Sequence, residues 1–99
     1  MTLRVVAHFR ILPDACKDVL PHLQGLVHPT REEDGCITYV PLLDINDSTH
    51  VVFVEEWRDR RAFEQHSLSA ELRRVLSIVE PLLSEPIVAY ELSELDHEV

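Results

Sequence analysis

The segment CITYVPLLDINDSTHVVFVEEW, residues 36–57, contains two strand patterns separated by a polar loop. Residues 36–43 and 50–57 are rich in β-branched and aromatic residues with period-two alternation, which is typical of strands. Residues 44–49 have the length and composition of a hairpin loop. One face of the first strand is predicted to carry Ile37, Tyr39 and Pro41, and one face of the second Val51, Phe53, Glu55 and Trp57. The segment therefore predicts an antiparallel hairpin.

The flanking segments add one strand and one helical region on each side of this hairpin. Residues 3–12 alternate as a strand, and residues 87–92 form a final short one. The first helix opens at Pro13-Asp14 and contains two further prolines, Pro21 and Pro29, so we expect a kink or break near one of them. Asp59 can cap a short second helix, which Ser67 or Ser69 restarts. The resulting β-α-β-β-α-β order predicts an α+β, ferredoxin-like fold with an antiparallel sheet and helices on one face.

Length and composition exclude several classes of protein. Ninety-nine residues with 45% hydrophobic content fit one globular domain, which we place at residues 1–93, followed by an acidic C-terminal tail at 94–99 that includes His97. The net charge of −9, with no basic run, argues against nucleic acid and against anionic membranes as partners. No apolar run approaches the length of a membrane span, and Arg4 and Arg10 interrupt the apolar pattern of residues 1–10, so we expect no signal peptide. Two glycines are too few for a dinucleotide-binding or phosphate-binding loop.

The two cysteines form no C-x-x-C pair, so the default expectation is a reducing, cytoplasmic location. The six histidines show none of the spacings typical of a preformed metal site, and we predict none.

The sheet face turned away from the helices is predicted to be apolar. It would carry Val6, His8, Val52, Val54 and Val88, a set too apolar to remain in contact with water in a small domain. A second copy of the chain could cover it, so the sequence predicts a homodimer packed sheet to sheet. His8 would then be an interface histidine, and His50, at the start of its strand, would be exposed.

One histidine and the single tryptophan are candidates for chemistry. His66 shares the inward helix face with Phe63, so it is either a hydrogen-bonded core residue or the base of a pocket. Trp57 is either a core residue or a pocket residue, and its indole N–H needs a ligand or Glu55 as partner. Together with Glu55, the predicted substrate-binding residues are Phe9, Tyr39, Phe53 and Phe63, which would suit a planar aromatic ligand.

Four motifs resemble the antibiotic biosynthesis monooxygenase domain: TREEDGCITY at 30–39, VVFVEEWRD at 51–59, AFEQH at 62–66 and LLSEP at 82–86. The resemblance covers residues 3–92 and implies a dimeric ferredoxin-like α/β barrel with one cavity per subunit. In the quinol monooxygenase-like branch it implies oxygenation of a small quinol or polycyclic phenol by O₂ without flavin, haem or metal. His66 would then remove a phenolic proton, and Trp57 or a tyrosine would donate a hydrogen bond to the phenolate.

Two alternatives remain open from the sequence. The haem-degrading branch places a tryptophan and a histidine where this chain has Trp57 and His66, together with an asparagine on the first strand. This chain has Phe9 or His8 at that position, and its only asparagine, Asn46, lies in a loop. The other alternative is a dimeric small-ligand-binding module without turnover, since one fold carries many functions.

Overall fold

The hairpin forms as the sequence predicts. In the computed structural model, which describes residues 2–96, the two strands of the hairpin begin and end at the predicted residues. The elements are β1 Leu3–Arg10, α1 Cys16–Gly25, α2 Val27–Arg31, β2 Cys36–Leu43, β3 His50–Trp57, α3 Arg60–Ser67, α4 Ala70–Val79 and β4 Val88–Leu92, with 3₁₀ turns at Pro13–Ala15 and Glu80–Leu82.

The four strands form one antiparallel sheet in the order β2-β3-β1-β4. β1 and β3 are the central strands, with Leu3 opposite Trp57 and Ala7 opposite Phe53. This order, with both helical segments on one face, is the predicted ferredoxin-like arrangement. The sheet of this chain remains open and does not close into a barrel.

The helix-facing side of the sheet holds the core. Val5, Phe9 and Phe53 are buried there against Val19 of α1 and Val75 of α4. A bulge between Cys36 and Thr38 interrupts the pairing of β2 with β3. Beyond the bulge, Tyr39 lies opposite Glu55 on the buried face, and Pro41 lies opposite Phe53. Ile37 is half exposed, so the prediction that it shares the face of Tyr39 is wrong, because the bulge breaks the alternation.

The first helical segment is broken, in agreement with the proline prediction. α1 ends at Gly25 and α2 begins at Val27, with Leu26 between them. Pro29 has no N–H to donate to the carbonyl four residues earlier, which is that of Gly25, so a continuous helix would lack this bond. Pro21 is accommodated inside α1.

Two side-chain caps and one close contact fix the positions of α3 and α4. The Asp59 carboxylate accepts a hydrogen bond from the Ala62 amide at 2.9 Å, which caps the helix as predicted. Ser69 caps α4 through the Leu72 amide at 3.2 Å. Gly35, at φ 85°, packs so closely against Ala62 that a Cβ atom there would collide with the Ala62 side chain.

The sheet face turned away from the helices is apolar, as the sequence predicts. Its exposed or half-exposed apolar side chains are Val6, Val40, Leu42, Val52, Val54, Val88, Tyr90 and Leu92. His50 also lies on this face, but it is only 8% exposed, so the prediction that it is exposed is wrong. Both of its ring nitrogens have partners there: Nδ1 lies 2.9 Å from Asp44 Oδ2, and Nε2 lies 2.9 Å from Nδ1 of His8.

The end of the predicted tail is only partly described. Glu94 accepts a hydrogen bond from Arg4 at 3.1 Å, while His97 and the rest of 97–99 lie outside the described residues. Within residues 2–96, no helix has both the length and the hydropathy needed to cross a membrane.

Candidate active site

A cavity of about 200 Å³ lies between the sheet and the helices α3 and α4. Its wall is formed by Val5, Ala7, Phe9, Tyr39, Phe53, Glu55, Phe63, His66, Ser67, Leu72, Leu76, Ile87 and Ala89. Ser67 and Ala89 are exposed and mark its rim. All five residues predicted to bind substrate lie in this wall, together with His66, whereas Trp57 does not. The site is therefore an apolar cavity with a few polar groups, the usual composition of a small-molecule site.

His66 projects from α3 into this wall and is only 4% exposed. Its Nδ1 lies 3.0 Å from Oε1 of Glu33, which precedes the turn into β2. Because an ionised carboxylate only accepts hydrogen bonds, the neutral ring carries its proton on Nδ1 and leaves Nε2 as an acceptor. No side-chain nitrogen or oxygen among the described residues is both fully buried and unpartnered, and Nε2 has no protein partner. Nε2 therefore keeps some accessible surface, and His66 is one of the residues that line the cavity.

Burial keeps His66 neutral. Desolvation of the charged imidazolium lowers the pKa of His66, and Glu33 opposes this shift by attraction and by its hydrogen bond. The net pKa is below the ordinary histidine value, so the ring is a neutral base at pH 7.

Trp57 lies behind His66. Its side chain is fully buried, and its ring centroid is 4.6 Å from that of His66, with 32° between the planes. The indole N–H donates to Oε1 of Glu55 at 2.9 Å. The sequence allows either a ligand or Glu55 as the acceptor of this N–H, and in the structure the acceptor is Glu55. The indole N–H is thus occupied by Glu55 in this structure, and a hydrogen bond from Trp57 to a bound phenolate stays a prediction.

Glu55 is a buried carboxyl in the cavity wall. It is 5% exposed, and desolvation raises its pKa to about 7, with the negative charge of Glu33 adding to the shift and the hydrogen bond from Trp57 opposing it. A substantial fraction of Glu55 is therefore protonated at neutral pH.

Tyr39 completes the polar part of the wall. Its ring contacts those of Phe53 and His66, at centroid distances of 5.1 and 5.5 Å. Burial and the nearby Glu55 raise the pKa of the Tyr39 hydroxyl well above its ordinary value. The hydroxyl therefore stays protonated at physiological pH and is a hydrogen-bond donor.

Sequence reasoning missed Glu33 and much of the apolar wall. Glu33 stands among three consecutive acidic residues, and adjacent side chains on regular elements point apart, which argues against a joint role. Its contact with His66 spans 33 positions and becomes visible only when α3 packs beside the turn at Gly35. Leu72, Leu76, Ile87 and Ala89 carry no chemical signal that distinguishes a cavity wall from ordinary core.

Within residues 2–96, no three histidine, cysteine or acidic side chains are grouped so that they could hold a metal ion. Both cysteines, Cys16 and Cys36, are free thiols.

Comparisons of this chain with known protein families, sequences and structures all point to one family. The family model described as "Antibiotic biosynthesis monooxygenase" matches residues 2–77. The protein "Putative monooxygenase Rv0793" of Mycobacterium tuberculosis is 34% identical over 92 residues, covering 93% of this chain and 90% of the relative. "Putative monooxygenase YcnE" of Bacillus subtilis is 29% identical over 90 residues, covering 89% of this chain and 95% of the relative. The solved structure of the M. tuberculosis protein superposes with a TM-score of 0.91 at 29% identity, covering 100% of both chains. The chain belongs to the antibiotic biosynthesis monooxygenase family.

Proposed function

We propose that the protein is a monooxygenase that oxidises a small quinol or phenol with O₂, using His66 as the base and no flavin, haem or metal. The observation that carries the proposal is the pairing of His66 with Glu33 in the wall of an apolar cavity. The pairing leaves one accessible acceptor nitrogen in a largely apolar space, and this is the arrangement needed to deprotonate a bound phenol.

The size of the cavity favours a compact substrate. Its volume of about 200 Å³ is below the range of about 300–1,000 Å³ typical of sites for drug-sized ligands. Rings of Phe9, Phe53 and Phe63 line it, so a planar ring system of one or two rings is the matching ligand class.

We propose that the site does not bind haem, which one branch of the family uses. A porphyrin is larger than most drug-sized ligands, and the cavity is smaller than the sites that hold those. The wall holds Phe9 and no asparagine, while Asn46 lies in the loop between β2 and β3.

The first step is transfer of the phenolic proton to Nε2 of His66. A phenol with a pKa of about 10 and a histidine with a pKa below 6.5 differ by about 3.5 units or more, so the transfer is uphill by roughly 5 kcal/mol. The protonated Tyr39 hydroxyl in the same wall can donate a hydrogen bond to the phenolate and offset part of this cost.

The phenolate then supplies the electrons. It transfers one electron to O₂, and the resulting radical pair combines at a ring carbon that bears hydrogen. Return of the proton from His66 gives a hydroperoxide on that carbon. The substrate itself is the reductant, so the protein supplies a base, hydrogen bonds and a largely apolar cavity.

We also propose that the apolar sheet face forms a homodimer interface with a second copy. Eight exposed or half-exposed apolar side chains on this face form a continuous surface of the kind that monomers rarely leave uncovered.

Oxygen uptake with a panel of reduced benzoquinols and naphthoquinols tests the proposed activity. Wild-type protein should consume O₂ above the rate of autoxidation, and His66→Ala should reduce this uptake by about 10²–10⁴-fold. His28→Ala, on the exposed side of α2, is the matched control and should behave as wild type. The wild-type protein and His66→Ala are also titrated with hemin. A Soret band that forms with wild type and is absent in His66→Ala would contradict the proposal. Ligand-dependent melting shifts without oxygen uptake would indicate a binding module instead.

A further inference from the structure

We propose that Glu55 is a second catalytic residue, the acid that protonates the leaving oxygen when the O–O bond of the hydroperoxide breaks. The inference rests on the proposed oxygenase function. It adds a proton donor, a role that His66 as the base cannot also fill in the same step.

The geometry places Glu55 in the wall of the same cavity as His66. It projects from β3, and the side chain is only 5% exposed. One carboxyl oxygen, Oε1, is held at 2.9 Å by the Trp57 indole N–H. The other, Oε2, has no protein partner and is not fully buried. Because Glu55 lines the cavity and the indole holds Oε1, Oε2 is the oxygen that we assign to the ligand.

The same surroundings hold a proton on this carboxyl. Few polar groups surround it, and the charged Glu33 disfavours a second negative charge nearby, so its pKa is about 7 rather than 4.5. A carboxylic acid that is partly protonated at neutral pH can act as a general acid, whereas an ordinary solvated glutamate is fully ionised.

Decomposition of the hydroperoxide needs both a base and an acid. His66, neutral again after the first steps, takes the proton from the ring carbon that carries the peroxide. The electron pair of that C–H bond forms the second bond of a new C=O group as the O–O bond breaks. The outer oxygen leaves with its hydrogen and receives the proton of Glu55, which gives water. The quinone has gained one oxygen atom from O₂ and the water contains the other, so no external reductant is required.

After turnover His66 is protonated and Glu55 is ionised. Transfer of one proton from the imidazolium to the carboxylate, through solvent entering at the rim near Ser67, restores both groups. Trp57 is a positioning residue in this scheme because it contacts Glu55 and His66 but does not line the cavity.

Single-turnover kinetics of Glu55→Gln test the assignment. The amide keeps an acceptor for Trp57 but has no acidic proton. Anaerobic protein–naphthoquinol complex is mixed with O₂-saturated buffer, and quinone is followed by absorbance. Glu55→Gln should form quinone about 10²–10⁴-fold more slowly, while acid-quenched samples accumulate a species with the mass of substrate plus one intact O₂. Glu64→Gln makes the same chemical change on the exposed side of α3 and should match wild type.

The wild-type pH profile gives a second test that does not depend on any variant folding. The rate of quinone formation should fall as the pH rises through about 7, because Glu55 loses its proton there. Two results would each overturn the role of Glu55 and leave the oxygenase proposal standing. One is that folded Glu55→Gln forms quinone at the wild-type rate. The other is that the wild-type rate of quinone formation does not fall as the pH rises through about 7. Absence of oxygen uptake by wild-type protein with every quinol overturns both.

Discussion

The Nδ1 atom of His66 lies 3.0 Å from Oε1 of Glu33, a contact that joins the third helix to the turn before the second strand. The carboxylate fixes the tautomer of a histidine that would otherwise be free to present either nitrogen to the cavity. The contact involves Nδ1 alone, which supports the proposal that His66 is a base, because a histidine that belongs only to the core would have both nitrogens satisfied.

Replacing Glu33 by Gln should weaken the base without removing it. Loss of the carboxylate removes the attraction that opposes desolvation, so the pKa of His66 falls further. The acid limb of the kcat profile, where His66 becomes protonated, should therefore move to lower pH. We expect kcat itself to fall by about 10- to 100-fold, by analogy with carboxylates that orient metal-bound histidines. Glu32→Gln, one residue away and exposed, is the control; an unshifted acid limb in Glu33→Gln would show that the contact is only structural.

Glu55 should make folding stability depend on pH. Its pKa is about 7 in the folded protein and near 4.5 in the unfolded chain, so only the unfolded state releases the proton between these values. Its contribution is fully present below about pH 4.5 and is lost as the pH rises through 7, by up to roughly 3 kcal/mol. Urea unfolding at pH 5 and pH 8 should show that wild type loses more stability than Glu55→Gln. Equal losses in the two proteins would mean that this carboxyl titrates normally.

The two glycines should respond oppositely to alanine. Gly35 has φ 85°, and a Cβ there would collide with Ala62 at the start of α3, so Gly35→Ala should destabilise the fold by about 2–4 kcal/mol. Gly25, at the end of α1, has nothing within 4 Å of an added Cβ, so Gly25→Ala should be neutral or stabilise by up to about 1 kcal/mol. Chemical denaturation compares them. A mild effect at Gly35 would show that α3 can shift, and the position of His66 would then be less constrained.

A charge on the apolar sheet face should disrupt the proposed dimer. Val54 is 38% exposed at the centre of that face, and Val54→Glu would place a carboxylate inside the interface. Light scattering at micromolar concentration should give a dimer for wild type and a monomer for this variant. Ile78→Glu, on α4 and 37% exposed, introduces the same charge away from the sheet and should remain dimeric. A monomeric wild type would refute the interface.

Local patterns were sufficient to predict the fold. Alternation predicts β3 from His50 to Trp57, and Asp59 predicts the start of α3. Both features depend on residues that are close together in the sequence, so the sequence alone is enough to identify them. The bulge at Ile37 is not predictable from the sequence, since residues 36–43 contain no glycine that would mark an extra residue.

The site was only partly predictable. The aromatic wall and His66 followed from which faces point inward. The burial of His50 and the contact of His66 with Glu33 did not, because both depend on pairs that tertiary packing brings together. The hydrogen bond between Trp57 and Glu55 was one of two options, and only the three-dimensional arrangement decides between them.

Transfer of an oxygen atom from O₂ to a quinol tests the central claim most directly. Protein and reduced naphthoquinol are mixed under ¹⁸O₂, quenched early and analysed by mass spectrometry, with His66→Ala and His28→Ala beside the wild type. The proposed mechanism predicts one labelled oxygen atom in the quinone formed by wild type and His28→Ala, and only the autoxidation background with His66→Ala. Quinone without label, or label that persists unchanged in His66→Ala, would contradict it.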